Sequence, residues 1–391
     1  MSQHVGVSTQ PVFRAPIEAP KEWTLAALRQ HLQTAVILEL YTIPLYLFSM
    51  YSINTDDAQP ESPEQGAVSD IRGIIRQEML HLVLAGNLLT ALRGRPQLYG
   101  EAYAPRYPSE ILYEGVLMTL APAHPYQFQN FVEIEQPVDD KVEQDETLAK
   151  TRTLAQYESI GQFYQSLKDG LKALHTRLGD DIFDKDSSSR QWGKNDGWFS
   201  GELDEIIDLE TALSKLTLII EQGEGGPPLT GSAQSIGQSH YEIFKKLSEL
   251  NLKVHKLAPN PNTSQFEGRE KSYPVMLAFD AVYSYLLWTI ETVWTYGGAD
   301  ESKKQKLRKN IGPLMFSAMK PIAQFLVHQD LQTIKKKRAG PPFNLYIFST
   351  GTSPLNELKD IVKNAVAAYP DSTELKGLPA VVDGLFDLGD I

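Results

Sequence analysis

The most apolar stretch of the chain runs from Ala35 to Tyr51, and its only charged residue is Glu39. The run is too short for a membrane span and is interrupted by Glu39 and Pro44, so it predicts a buried core helix. An ionised carboxylate in such a helix costs several kcal/mol unless a partner compensates its charge. The central question posed by this stretch is therefore which group lies opposite Glu39.

Helical periodicity of apolar residues dominates the rest of the chain, whereas strand signals are weak. The pattern predicts an all-α fold, with an extended arm at 1–20, a helical bundle at 21–260 and a helical extension packed on it at 261–391. A short strand or a loop is expected at 131–137, and a loop at 339–346. Helices are predicted at about 21–51, 65–92, 145–174, 203–221, from 239, 266–296, 303–328 and 356–368.

A set of acidic and histidine side chains lies in these mostly apolar helices. Glu78 and His81 form a Glu-x-x-His pair, and residues three apart on a helix project from the same face. A dinuclear four-helix site needs one glutamate from each of two helices and a Glu-x-x-His from each of the other two. The predicted metal ligands are Glu39, Glu78, His81, Glu158, Glu221 and His240, with Glu224 as an alternative to Glu221.

Each of these residues also has a purely structural interpretation. Glu39 could be a core carboxylate paired with Arg72 or Arg76, Glu158 a partly exposed helix residue, and His240 a helix-start residue. The second Glu-x-x-His is incomplete, because position 237 is glycine.

Two further glutamates, Glu133 and Glu135, could reach the site from their loop, although a solvated position is favoured for both. The tyrosines near the proposed ligands are interpreted as core aromatics that could also line a substrate pocket.

Composition excludes several classes of function. The chain has no cysteine, so disulfides, thiolate metal sites and a cysteine nucleophile are excluded. A net charge of −12 without a basic stripe argues against nucleic acid and anionic membranes as partners. The N-terminal segment does not have the pattern of a signal peptide, which predicts a cytoplasmic protein.

Several segments together resemble the ferritin-like domain of the iminophenyl-pyruvate dimer synthase group, to which enzymes of the violacein and rebeccamycin pathways belong. They are LELYTIPLYLFSMY, EMLHLVLAGNLL, EQGEG followed by SHYEIF, and AGPPFNLY. The resemblance covers roughly residues 22–345 and implies a ferritin-like four-helix bundle. It also supports Glu39, Glu78, His81, Glu158 and His240 as site residues, and Glu221 or Glu224.

These observations favour an oxidoreductase with a non-haem dinuclear centre. Oxygen-rich ligation with two imidazoles suits two iron ions, with manganese as the alternative. The expected partners are a small organic substrate, amino-acid-derived by the resemblance alone, and dioxygen or peroxide, and the chain could form a homo-oligomer. Two other hypotheses remain: an imine-coupling synthase and a metal-storage or structural protein.

Overall fold

In the computed structural model of the chain, residues 19–110, 117–137, 157, 159–199, 202–224, 238–297 and 300–390 are described. Extended pairing among these residues is limited to isolated bridges, such as Ile53 with Val254, and the predicted all-α class is confirmed. The α-helices are α1 Leu25–Ser52, α2 Pro63–Ala91, α3 Pro125–Ile134, α4 Ile160–Leu178, α5 Leu209–Glu224, α6 His240–Ser248, α7 Tyr273–Thr295, α8 Glu301–Gly312, α9 Lys320–Leu326, α10 Pro354–Ala368 and α11 Leu378–Asp383.

Helices α1, α2, α4 and α5 form a four-helix bundle. α1 packs along α2 and α4 packs along α5, while α1 also contacts α4 and α2 contacts α5. The short helices α3 and α6 pack on each other, and α6 in turn contacts α2 and α5. The α3–α6 pair therefore packs on the bundle at α2 and α5.

Side-chain caps explain where these helices begin. The hydroxyls of Thr24, Ser62 and Ser159 accept hydrogen bonds from backbone N–H groups in the first turns of α1, α2 and α4. Ser239 and Glu242 form a reciprocal capping box at the start of α6. Each of these hydroxyls satisfies a backbone donor that would otherwise have no partner inside the helix.

One predicted element and three predicted helix starts are wrong. The helices predicted from about 203 and 266 begin at Leu209 and Tyr273. Residues 125–134 form helix α3 and not a strand or loop, because Pro125 opens the helix and Phe128 and Phe131 bury one face of it. The helix predicted at about 145–174 is not continuous, because Ser159 has extended backbone angles and caps α4, which begins at Ile160. Residues 145–156 and 158 of this prediction lie outside the described residues, as do 1–18 of the predicted arm.

α1 is, among the described helices, the one that is long and apolar enough to cross a membrane. Its most apolar window is 83% buried inside the protein. A helix that is hydrophobic all round and packed on several sides is typical of a protein core. The position of α1 therefore agrees with the predicted core helix.

Helix α7 is the centre of the C-terminal helices and contacts α8, α9 and α10. It meets the bundle where the Trp294 ring lies against Gly86 of α2. The predicted loop at 339–346 is confirmed, and its residues contact both α7 and α1. Asp280 accepts a hydrogen bond from the backbone N–H of Asn344 at 2.8 Å, and Gly340 lies against the ring of Phe48.

Candidate metal centre

Five buried side chains meet where α1, α2, α3 and α6 come together. They form two groups whose potential ligand atoms lie within 4.8 Å of one another in each group. Glu78 belongs to both groups, so the groups are adjacent. The first group consists of Glu39, Glu78 and His81, and the second of Glu78, Glu135 and His240.

The first group joins α1 to α2. Glu39 lies in the middle of α1 and is 3% exposed, and its Oε2 atom is 3.5 Å from Nδ1 of His81. The hydroxyl of Tyr164, on α4, donates a hydrogen bond to Oε1 of Glu39. The two oxygens of this carboxylate therefore contact different partners, which restricts its rotation.

The second group joins α2 to the α3–α6 pair. His240 Nδ1 lies 2.8 Å from Oε1 of Glu78 and 3.6 Å from Oε1 of Glu135. Tyr46 donates a hydrogen bond of 2.5 Å to Oε1 of Glu135. Thr42, on α1, donates one of 2.8 Å to Oε2 of Glu78. A hydroxyl thus orients each of the three carboxylates.

The two imidazoles are oriented in the same way. Nε2 of His81 lies 2.8 Å from the amide oxygen of Gln222, and Nε2 of His240 lies 3.0 Å from that of Gln77. An amide oxygen only accepts, so each Nε2 donates a hydrogen and each Nδ1 faces carboxylates. His240 Nδ1 is close to Glu78 but outside hydrogen-bonding geometry, and it has no hydrogen-bond partner among the described residues. Converging oxygen and nitrogen donors of this kind fit divalent cations.

The pKa values show how strongly these groups interact. Burial raises the pKa of Glu78 to about 7. Burial alone would raise the pKa of Glu39, but the hydrogen bond and charge of His81 outweigh it and lower that pKa. Burial would lower the pKa of His240, but the charges of Glu135 and Glu78 raise it to about 10. Protons can therefore balance the carboxylates, and a bound cation would displace them.

The arginines considered as partners of Glu39 lie elsewhere. Arg76 is 3.6 Å from Glu202, and the charge of Arg72 acts on Tyr51. Within the described part of the chain, no arginine or lysine forms an ion pair with Glu39. The simple salt-bridge interpretation of Glu39 is thus not supported.

The predicted ligands fall into three sets. The structure brings Glu39, Glu78, His81 and His240 together. Glu158 lies outside the described residues, as does the side chain of Glu224. Glu221 is partly exposed on α5, and its charge acts on Lys168. The roles of Glu158 and of Glu221 or Glu224 remain predictions.

Glu135 is the site residue that sequence reasoning placed in solvent. It follows the last residue of α3 and is 3% exposed, whereas Glu133 is exposed. The signal lies in the spacing, because Phe128, Phe131 and Glu135 are three and four residues apart and share one helix face. The strand-or-loop interpretation of this segment concealed that periodicity.

A third group of possible ligands, Asp56, His255 and His328, lies away from this centre. Its chemistry is less suited to a cation. Arg338 donates a hydrogen bond of 2.8 Å to Nδ1 of His255. The hydrogen of the neutral imidazole is therefore on Nε2, so neither nitrogen has a lone pair free for a metal ion. The guanidinium charge would also repel a metal ion, and we do not assign a site there.

Comparisons with known proteins identify the family and the fold. A family model described as Ferritin-like matches residues 32–249. Dichlorochromopyrrolate synthase of Lentzea aerocolonigenes is 23% identical over 389 residues, a match that covers 82% of this chain and 36% of that protein. The chain thus spans about a third of the length of this curated relative.

A solved structure of a ferritin-like protein from Caulobacter vibrioides superposes with a TM-score of 0.53 at 23% identity. The superposition covers 78% of this chain and 97% of that one. At this identity the likeness shows the fold. The four-helix bundle predicted from the sequence is therefore confirmed as a ferritin-like fold.

Proposed function

The chain belongs to the ferritin-like family, and from that premise we propose that it is a non-haem dinuclear metal oxidoreductase. The observation that carries the proposal is the pair of buried ligand groups that share Glu78. Iron is the proposed metal and manganese the alternative, because three carboxylates and two imidazoles form an oxygen-rich donor set. The proposed substrate is a small, amino-acid-derived organic molecule, and the proposed oxidant is dioxygen or peroxide.

The described side chains divide between two ions. Glu39 and His81 would hold one ion, Glu135 and His240 the other, and Glu78 would contact both. Two divalent ions would carry four positive charges, which would more than compensate the three buried carboxylates when both imidazoles are neutral. When bound, two redox-active ions would transfer the electrons released by oxidation of the organic substrate to dioxygen or peroxide.

The protein around the centre orients the ligands and excludes water. Tyr164, Thr42 and Tyr46 hold one carboxylate each by hydrogen bonds. Phe131 and Phe244 pack against the ring of Tyr46, next to Glu135, and are almost completely buried. An apolar wall of this kind limits solvent access and influences the redox properties of a metal site.

The first experiment measures metal and dioxygen together. The protein is loaded anaerobically with Fe(II), its metal content is determined, and dioxygen uptake is followed after mixing with air. We expect about two ions per chain, the number required by a dinuclear site, and rapid uptake. Both should be lost in the Glu78→Ala/His81→Ala variant.

An exposed acid on the same helix provides the matched control. Asp70→Asn removes a partly exposed carboxylate of α2 that lies 3.5 Å from Lys246, and it should retain both metal and uptake. A wild-type protein that binds no Fe(II) and no Mn(II) would refute the proposal.

A second candidate, an imine-coupling synthase, is favoured by the likeness to dichlorochromopyrrolate synthase. In that case the bundle would position two oxidised amino-acid units, and redox metal would be secondary. Unchanged coupling by metal-free Glu78→Ala/His81→Ala protein, assayed with imines generated from tryptophan, would favour this function over the first.

Metal storage is a third hypothesis, and assembly size tests it together with the predicted homo-oligomer. Light scattering that shows a large hollow shell would favour storage. A small oligomer would leave the enzyme hypotheses.

A further inference from the structure

We propose that Gln77 and Gln222 are positioning residues that make Nδ1 the metal-binding nitrogen of both histidines. This inference rests on the proposed metal centre and assigns a role to two residues that are not ligands themselves. The observation that carries it is the same contact made twice, by glutamines from two different helices.

The contacts cross between helices in both cases. Gln77 of α2 faces His240 of α6 at 3.0 Å, and Gln222 of α5 faces His81 of α2 at 2.8 Å. In both contacts the imidazole atom is Nε2. His81 is 2% exposed and His240 is 0% exposed, whereas the two glutamines are partly exposed, so each amide reaches a buried imidazole from the edge of the core.

These contacts determine which nitrogen of a neutral imidazole can bind a metal ion. A neutral imidazole carries one hydrogen, and an amide oxygen binds only a nitrogen that bears it. With the hydrogen kept at Nε2, the lone pair is at Nδ1. That nitrogen faces Glu39 in His81, and Glu78 and Glu135 in His240.

The amide also determines the charge around the centre. A partner of ligand histidines is often a carboxylate or a backbone carbonyl. A glutamine orients the ring without adding a negative charge to three carboxylates that are already buried together. Through Gln222, α5 contacts His81, although α5 supplies none of the five residues of the two ligand groups.

Two substitutions at each position separate orientation from packing. Gln77→Leu and Gln222→Leu remove the acceptor at similar volume, whereas Gln77→Glu and Gln222→Glu retain an acceptor. Gln165→Leu is the matched control, because Gln165 is on α4 and contacts the exposed Asp169. Each protein is prepared with isotope-labelled histidine and loaded with Zn(II), which is diamagnetic.

Magnetic resonance then reports which nitrogen of each imidazole carries hydrogen, and competition with a chelator reports the Zn(II) affinity. In the wild type we expect hydrogen at Nε2 of His81 and His240. In each leucine variant the Nε2–H signal of the affected histidine only should shift and exchange faster with solvent because its acceptor is gone, and one ion should bind about 10–100-fold more weakly. The glutamate variants should keep the hydrogen at Nε2.

The outcomes distinguish this inference from the proposed function. Wild-type protein that binds no Zn(II), Fe(II) or Mn(II) would refute the metal centre itself. Leucine variants with unchanged N–H signals and unchanged affinity, in a wild type that binds metal, would refute the role of the glutamines alone.

Discussion

The contrast between Glu133 and Glu135 shows how a difference of two residues separates a site residue from a surface residue. Both glutamates are near the end of α3, but Glu133 is exposed and Glu135 is buried against His240 and Tyr46. A helix turns about 100° per residue, so positions two apart point to different sides. The chemistry of the second ligand group thus depends on one helix face.

The two glutamates provide a matched test of the second ion. Glu135→Gln removes the charge that would hold the ion shared with His240, so we expect metal content to fall from about two ions per chain to about one. Glu133→Gln should bind as much metal as the wild type. Metal analysis of both variants after Fe(II) loading checks this, and equal metal in both would exclude Glu135 as a ligand.

Metal binding should strengthen as pH rises. The charges of Glu135 and Glu78 outweigh the effect of burial and raise the pKa of His240 to about 10, so near neutral pH a cation must displace a proton from it. Because protons compete with the ion, the apparent affinity should increase about tenfold per pH unit for each proton displaced, up to that pKa.

Chelator competition at several pH values between about 6 and 9, together with calorimetry in buffers of different ionisation enthalpy, measures this effect. An affinity that is independent of pH would show that His240 is already neutral or is not a ligand.

At the scale of elements, α2 is the helix that organises the molecule. It supplies Glu78 and His81 to the centre. It also contacts α1, α5, α6 and α7. The side chain of Asn87 binds both backbone groups of Trp192 and accepts a hydrogen bond from the indole of Trp294. One buried amide therefore joins α2 to the segment after α4 and to α7.

Two glycines of α2 test how closely this helix packs. A methyl group at Gly86 would lie 2.2 Å from the ring of Trp294, whereas nothing lies within 4 Å of the same position at Gly73. We expect Gly86→Ala to lower the free energy of unfolding by about 1–3 kcal/mol because of overpacking. Gly73→Ala should raise it by about 0.5–1 kcal/mol because alanine favours the helix.

Denaturant titration of the two variants measures these changes. If both variants changed the free energy of unfolding equally, α2 and α7 would be able to move apart without loss of stability.

At the scale of the whole molecule, a few buried polar contacts hold the C-terminal part of the chain together. The carboxylate of Asp280 accepts hydrogen bonds from Thr263 and from the backbone of Asn344, and burial raises its pKa well above the ordinary value. Asn344 of the AGPPFNLY segment is thereby fixed to α7. The proposed boundary at 260 and the cytoplasmic location remain predictions.

Removing this contact should affect stability without affecting the centre. Asp280→Ala leaves two buried donors without an acceptor, so we expect a loss of about 2 kcal/mol with unchanged metal content. Asp383→Ala, which removes a surface pair with Lys359, should cost about 0.5 kcal/mol or less. Denaturation and metal analysis of both variants check the expectation, and a loss of metal only in Asp280→Ala would show that the two regions are coupled.

The sequence by itself determined the features that depend on near neighbours in the chain. The core helix with one carboxylate, the Glu-x-x-His pair on one face of α2, and the start of α6 after Ser239 follow from spacing and capping alone. Their geometry repeats within a few residues, so periodicity suffices to predict them.

Only the tertiary structure decided which distant residues meet. Glu135 joins His240 because α3 packs on α6, and Gln222 reaches His81 because α5 packs on α2. These contacts span 105 residues from Glu135 to His240 and 141 from His81 to Gln222. No local pattern encodes such distances, since they arise from how amphipathic faces bury one another.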